Sequence, residues 1–364
     1  MTKPYWTVGM MSGTSMDGID LKAIKTDGQE IFEMSEGVMV PYTDIFREKL
    51  RNVLGSTEIM PDVLEIEKEL TILHSEAFFQ YLKVKNISHK EVGLIGFHGH
   101  TILHQPPSRF SKPRTWQIGD GELLSQLTKT KVVYNMREND LKHGGEGAPL
   151  VPLYQQALAK KTRKPIAIIN IGGISNVTWL GEKEGILAFD MGPGNALLDD
   201  WIKEHCDKNY DKDGLISAKG SIHSGIIETF KTHPYFKQKA PKSLDRQDFT
   251  LDSVRELSLE DGAATLAEMT AIAIKKGISS FPTLPQTYVI TGGGRLNNFL
   301  MKRLSFHLKP SIVKTTEQVG WDGDFIEAEA FAFLAVRSLK KLPLTVPTTT
   351  GVSKAISGGI LSTD

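Results

Sequence analysis

The run Met11-Ser12-Gly13-Thr14-Ser15-Met16-Asp17-Gly18-Ile19-Asp20 combines small residues, hydroxyls and two carboxylates in ten positions. Glycine lets backbone approach an anion closely, and Ser12, Thr14 and Ser15 can donate to phosphate oxygens. Asp17 and Asp20 would repel phosphate alone, so they fit there only with Mg2+ between, held directly or through water, or with one of them acting on an acceptor. Residue types leave this reading even with a polar hairpin whose Asp17-Gly18 pair serves turn geometry. A P-loop is excluded, because no glycine-bearing run ends in Gly-Lys-Ser/Thr. Two more glycine clusters follow, Asn170-Ile171-Gly172-Gly173-Ile174-Ser175-Asn176 and Gly292-Gly293-Gly294. Each alone reads as a tight turn, while their distribution suggests one nucleotide clamp. In Phe189-Asp190-Met191-Gly192-Pro193-Gly194-Asn195, Asp190 stands at an expected strand end before a helix near Ala196. It could cap that helix or project into a cleft as a base.

Elements that would position these residues come in two similar series. Trp6 to Met11 and Ile19 to Ile24 read as strands around the first loop, with a third over Ile31 to Val40. Helical spacing over Phe46 to Leu54 and Val63 to Leu82 precedes a buried strand, Val92 to Phe97. After Pro165 the order begins again with Ile166 to Ile169, a glycine turn, Val177 to Leu180 and Gly185 to Phe189. Helices around Ala196 to Glu204, Ile222 to Phe230 and Ala264 to Lys276, the strand Thr287 to Thr291 and a helix over Asn298 to Leu308 follow. The shared order favours duplication of one α/β design: a first domain over 1–140, which the tail 340–364 could rejoin, and a second over 141–339 closed by the helix Ile326 to Leu339.

With 364 residues, two domains of ordinary size are expected. The 43 basic and 43 acidic residues leave no net charge to attract nucleic acid or an anionic membrane. Cys206 is the sole cysteine, which rules out an intrachain disulfide and a cysteine-rich zinc site. The first residues lack a signal-peptide apolar core, and no segment approaches the ~20 apolar residues of a membrane span, so the cytoplasm is the expected compartment. An apolar face on a later helix would support a homodimer.

The run from Gly9 to Asp20 resembles the N-terminal signature of the anhydro-N-acetylmuramic acid kinase family, and the resemblance continues in order along nearly the whole chain. It takes in His98-Gly99-His100-Thr101, Gln117-Ile118-Gly119-Asp120, Gly147-Ala148-Pro149-Leu150, Asn170 to Asn176, Asp190 to Asn195 and Gly292 to Gly294. The resemblance implies an actin-like fold, shared by sugar kinases, heat-shock ATPases and actin, with two α/β domains around an ATP cleft. It also implies ATP-dependent, hydrolytic opening and 6-phosphorylation of 1,6-anhydro-N-acetylmuramic acid in peptidoglycan recycling. By the same resemblance Asp190 is the general base, and Gly13 to Asp20 (Gly13, Thr14, Ser15, Met16, Asp17, Gly18, Ile19, Asp20) hold phosphate and Mg2+. Asn170, Gly172, Gly173, Gly292, Gly293 and Gly294 line the nucleotide side, while His98, Arg137 and Glu327 meet the sugar. Four positions depart from the family pattern: Met191 for threonine, Asn135-Met136 for Asp-Phe, and Glu146 for glutamine. These bear on acceptor preference, and a kinase for another amino sugar or sugar acid, or an inactive nucleotide-binding regulator, are the competing readings.

Overall fold

A computed structural model describes residues 5–183 and 185–363. The chain forms two compact units, one from the residues up to Lys160 together with Phe325 onward, the other from Lys161 to Asp324.

In the first unit the strands are β1 (Trp6–Ser12), β2 (Gly18–Thr26), β3 (Ile31–Met34), β4 (Val38–Pro41), β5 (Val92–Gln105), β6 (Arg114–Ile118) and β7 (Val132–Tyr134). Their central path runs β3-β2-β1-β5-β7, antiparallel through β1 and parallel beyond it, with β4 on β2 and β6 on β5. All of β1 is buried, as expected for a strand covered on both faces. Trp6, Val8 and Met10 join the core beneath the helix Pro61–Lys85, whereas Met11 joins the opposite core with Ala328 and Phe331 of the helix Ile326–Leu339.

That last helix was expected to close the second half. It packs instead on β1, β2 and β5 of the first unit. Its fit depends on two missing side chains: a Cβ at Gly9 would lie 1.7 Å from the Ala328 carbonyl oxygen, and one at Gly96 2.1 Å from that of Phe331. A buried ion pair, Lys22 Nζ to Glu329 Oε1 at 2.5 Å, with a hydrogen bond from the Tyr154 hydroxyl to the same carboxylate, ties β2, this helix and the helix Pro152–Leu158 together. The unit boundary therefore falls near Lys160 rather than at 140. Residues after 340 also pack in the first unit, where the short strand Ile360–Leu361 pairs antiparallel with β7.

The second unit contains β8 (Ile166–Ile171), β9 (Ile174–Leu180), β10 (Ile186–Pro193), β11 (Thr287–Thr291) and β12 (Ile312–Thr315). The path is β10-β9-β8-β11-β12, again antiparallel up to the unit's first strand in chain order, β8, and parallel beyond it. Strand order and direction thus repeat those of the first unit, so both units are α/β sheets of one design. Helices Ala196–His205 and Leu259–Gly277 build a separate core around fully buried Trp201, whose indole N–H donates to the Leu259 carbonyl at 2.9 Å.

Candidate functional site

In open α/β sheets, ligands sit beyond the carboxyl ends of parallel strands where the strand order reverses. In the first unit this is where β1 and β5 end. The loop from β1 to β2 is closed by the Met16 N–H donating to the Gly13 carbonyl at 3.0 Å, with Met16 in the left-handed region at φ 55°. The Ser15 hydroxyl donates to Asp17 Oδ1 at 2.7 Å. Thr14, Ser15 and Asp17 are exposed, and a Cβ at Gly13 would meet nothing nearer than Ser15 Oγ at 3.5 Å, so the loop offers accessible backbone and hydroxyls. Gly18 and Ile19 do not share that face. Ile19 belongs to the core, and a Cβ at Gly18 would sit 2.4 Å from the Val40 carbonyl, so both brace the hairpin.

Ser12, Tyr42 and His100 support this loop, and sequence reasoning had not assigned Tyr42 or His100 to the site. Tyr42 donates its hydroxyl to Ser12 Oγ at 2.9 Å and its N–H to the Asp17 carbonyl at 3.0 Å, while Ser12 Oγ lies 3.0 Å from His100 Nδ1. Burial pushes the Tyr42 phenol up, and the Asp20 and Asp17 charges push it further, so it stays a donor.

His98, Arg137 and Glu327 do come together in this unit. His98 lies in β5, which continues through Gly99, at φ 71°, to Gln105 instead of ending at Phe97. Its Nδ1 bonds the Gly99 carbonyl at 3.0 Å, which makes Nδ1 the protonated nitrogen and leaves Nε2 to accept from Arg137 Nε at 3.1 Å. Arg137 Nη1 donates to the Gly147 carbonyl at 2.9 Å. Burial pulls the guanidinium below its ordinary value, opposed by the charges of Glu327 and Asp140. Glu327, in the first turn of the Ile326–Leu339 helix, is solvent-accessible yet crowded by protein; that crowding raises its carboxyl and the Arg137 charge lowers it.

Burial depresses His98 well below the ordinary imidazole value, with the Arg137 charge adding to the shift, and takes His74, His100 and His104 to about 4. A ring whose folded pKa lies below its unfolded 6.5 binds more protons unfolded, so stability present above pH 6.5 is lost as pH falls toward 4. Asp199, raised to about 7 chiefly by burial, and Glu67 and Glu327, also raised by burial, act in the opposite sense, but the four rings outweigh the three carboxyls. Urea unfolding at pH 7, 6 and 5 is expected to show steadily falling stability; a flat profile would contradict the buried neutral histidines.

In the second unit the loops after β8 and β11 lie side by side, with Asn170 in register with Thr291. Gly292 has φ 74°, and a Cβ there would fall 2.3 Å from Asn170 Oδ1; one at Gly294 would fall 2.4 Å from Ile171 Cγ2. Those glycines permit the two loops to touch. Gly172 and Gly173 have no neighbour within 3.5 Å of an added Cβ, so their backbone is open to a ligand. Asn195 fastens the cluster, donating from Nδ2 to the Ile171 carbonyl at 3.1 Å and from N–H to that of Gly172 at 2.7 Å. Arg295, pinned by Glu317 and Asp324, donates to the Gly292 carbonyl at 3.1 Å.

Asp190 lies within β10, at a register break between Asp190 and Gly192, and is not a helix cap; Asn195 occupies that position. Its Oδ2 accepts the Leu244 N–H at 2.8 Å, its N–H donates to the Lys242 carbonyl at 3.0 Å and its carbonyl accepts the Tyr235 hydroxyl at 2.5 Å. The carboxylate is thus oriented by a backbone N–H, and Lys242 supplies a nearby positive charge. Met191 is fully buried among Ile169, Ile274 and Phe281, so this departure from the family pattern changes core volume. Asn135, at φ 53°, donates to Glu138 Oε2 at 2.5 Å, and Glu146 accepts the Ser108 hydroxyl at 2.7 Å.

Comparison with known proteins gives a family match over residues 5–363, to the model described as anhydro-N-acetylmuramic acid kinase. Proteins of that name from Rhodospirillum rubrum and Paramagnetospirillum magneticum are 43% and 45% identical, each over 97% of this chain and over 93% and 98% of their own lengths. Among solved structures, component A of (R)-2-hydroxyglutaryl-CoA dehydratase from Acidaminococcus fermentans aligns at TM-score 0.47 and 13% identity, covering 93% of this chain and 100% of its own.

Proposed function

The chain belongs to the anhydro-N-acetylmuramic acid kinase family, and from that premise we propose how its residues divide the work. The reaction is ATP-dependent hydrolytic ring opening and 6-phosphorylation of 1,6-anhydro-N-acetylmuramic acid, yielding N-acetylmuramic acid 6-phosphate and ADP in peptidoglycan recycling. ATP as the donor puts the reaction in the cytoplasm.

The observation that carries the residue assignment is Asp190, a carboxylate held by the Leu244 N–H in the same unit as the open glycine turns. Asp190 takes a proton from a water molecule as the water oxygen bonds to the anomeric carbon. The bond from that carbon to O6 breaks, and O6 carries its electron pair to the γ-phosphorus, with ADP leaving; no free O6 hydroxyl need form first. Arg137, aimed by His98 and the Gly147 carbonyl, holds the lactyl carboxylate of the sugar, and Glu327 accepts from its hydroxyl or amide groups.

In the first unit Gly13, Thr14 and Ser15 offer contacts to phosphate oxygens from the β1–β2 loop, and in the second unit Asn170, Gly172 and Gly173 offer contacts to the nucleotide. Gly292 and Gly294 let the loops after β8 and β11, both in the second unit, meet. Among the described residues no three His, Cys, Asp or Glu side chains gather into a metal cage. Mg2+ commonly takes only one or two carboxylates, with phosphate and water completing its shell. Asp17 and Asp20 fit that share, and a bound Mg2+ would neutralise charge on the transferring phosphoryl group. ADP release is expected to require the anhydro-sugar, one ADP for each ring opened; release indifferent to the sugar would favour a nucleotide-binding regulator.

A further inference from the structure

We propose that Asp140 is a positioning residue for the sugar-binding arginine, and that the chain's C-terminal segment, through Thr345 and Thr350, completes that support. The inference rests on the reading that Arg137 contacts the sugar. Asp140 lies in the short helix Glu138–Lys142 and is only 2% exposed, a burial that a carboxylate tolerates only when its oxygens are satisfied. Oδ1 accepts the Gly147 N–H at 2.7 Å. Oδ2 accepts two hydroxyls, from Thr345 at 2.5 Å and Thr350 at 2.6 Å, which lie 205 and 210 positions further along the chain.

Gly147 transmits the effect. Its N–H is held by Asp140 and its own carbonyl receives Arg137 Nη1, so one residue joins the buried carboxylate to the guanidinium. Its φ of 73°, and the 2.0 Å that would separate an added Cβ from Leu141 Cδ1, leave no other residue type at ease there. With Nε on His98 and one Nη1 proton on Gly147, two donors of the guanidinium are committed to protein, and the remaining donors take a fixed direction. If the Gly147 N–H is released, its carbonyl can swing and Arg137 loses one of these two anchors. Charge strengthens each of the three bonds that Asp140 accepts.

Sugar and ATP KM values would be measured for wild type, Asp140→Asn, Arg137→Gln and the double variant, with melting temperatures alongside. Asp140→Asn is expected to raise the sugar KM on the order of 10-fold with the ATP KM unchanged, and to add little once Arg137 is already glutamine. An undiminished Asp140→Asn effect in the Arg137→Gln background would overturn the proposal, since the carboxylate would then act by another route. If Arg137→Gln alone leaves the sugar KM unchanged, the arginine is no sugar contact and the premise itself falls. Should Asp140→Asn fail to fold, Thr350→Val removes one support; a sugar-specific rise supports the proposal, and an equal rise for both substrates overturns it.

Discussion

Asparagine at position 190 is expected to slow turnover by about 10² to 10⁴ while leaving the melting temperature and both KM values close to wild type. The amide is nearly isosteric with the carboxylate, and its oxygen can still accept the Leu244 N–H that fixes Asp190 Oδ2 at 2.8 Å. The Lys242 and Tyr235 bonds use the backbone of residue 190 and survive the exchange. What is removed is the negative charge, which lies near Lys242, and with it the capacity to accept a proton from water. Initial rates at saturating substrates, with thermal melting as the control for folding, check the claim. Turnover within a few-fold of wild type in a folded variant would remove Asp190 from the role of base.

Gly9→Ala is expected to be the most disruptive single methyl in the first unit. The new carbon would lie 1.7 Å from the Ala328 carbonyl oxygen and 2.7 Å from the Ala332 nitrogen, both backbone atoms that no side-chain rotation can move aside. Relief requires lifting the Ile326–Leu339 helix, whose packing includes the buried Lys22–Glu329 pair and whose first turn carries Glu327. Overpacking of this kind costs about 3 kcal/mol or more, a fall in melting temperature on the order of 10 °C for a chain of this size. A raised sugar KM should accompany it because Glu327 moves with the helix. Gly13→Ala is the contrast, since its nearest neighbour would be Ser15 Oγ at 3.5 Å, so that variant should melt like wild type. An unchanged melting temperature for Gly9→Ala would mean that the helix does not rest on β1 as described.

The destination of the Ile326–Leu339 helix was not legible in its own residues. A helix apolar on nearly every side has no stripe to say which sheet it meets, and the determinants, Gly9 and Gly96, lie more than two hundred positions away. The Ser12–Tyr42–His100 set and the Asp140 knot were hidden for the same reason, because side-chain bonds between distant segments leave no local pattern. The repeated strand order was legible, because hydrophobic runs and glycine turns recur in the same sequence in both halves. Strand alternation makes two further placements legible. Ile19, next to Asp20 in β2, points to the opposite face and into the core, and Met191 is likewise a core residue beside Asp190.

The most direct test of the account is to run one turnover in water enriched in heavy oxygen with Mg2+, ATP and 1,6-anhydro-N-acetylmuramic acid, quench early, and locate the label by mass spectrometry. The account predicts one ADP per sugar and N-acetylmuramic acid 6-phosphate with a single heavy oxygen on the anomeric carbon and none in the phosphate. A phosphorylated sugar still in its bicyclic form, or label in free phosphate with the sugar ring intact, would contradict it.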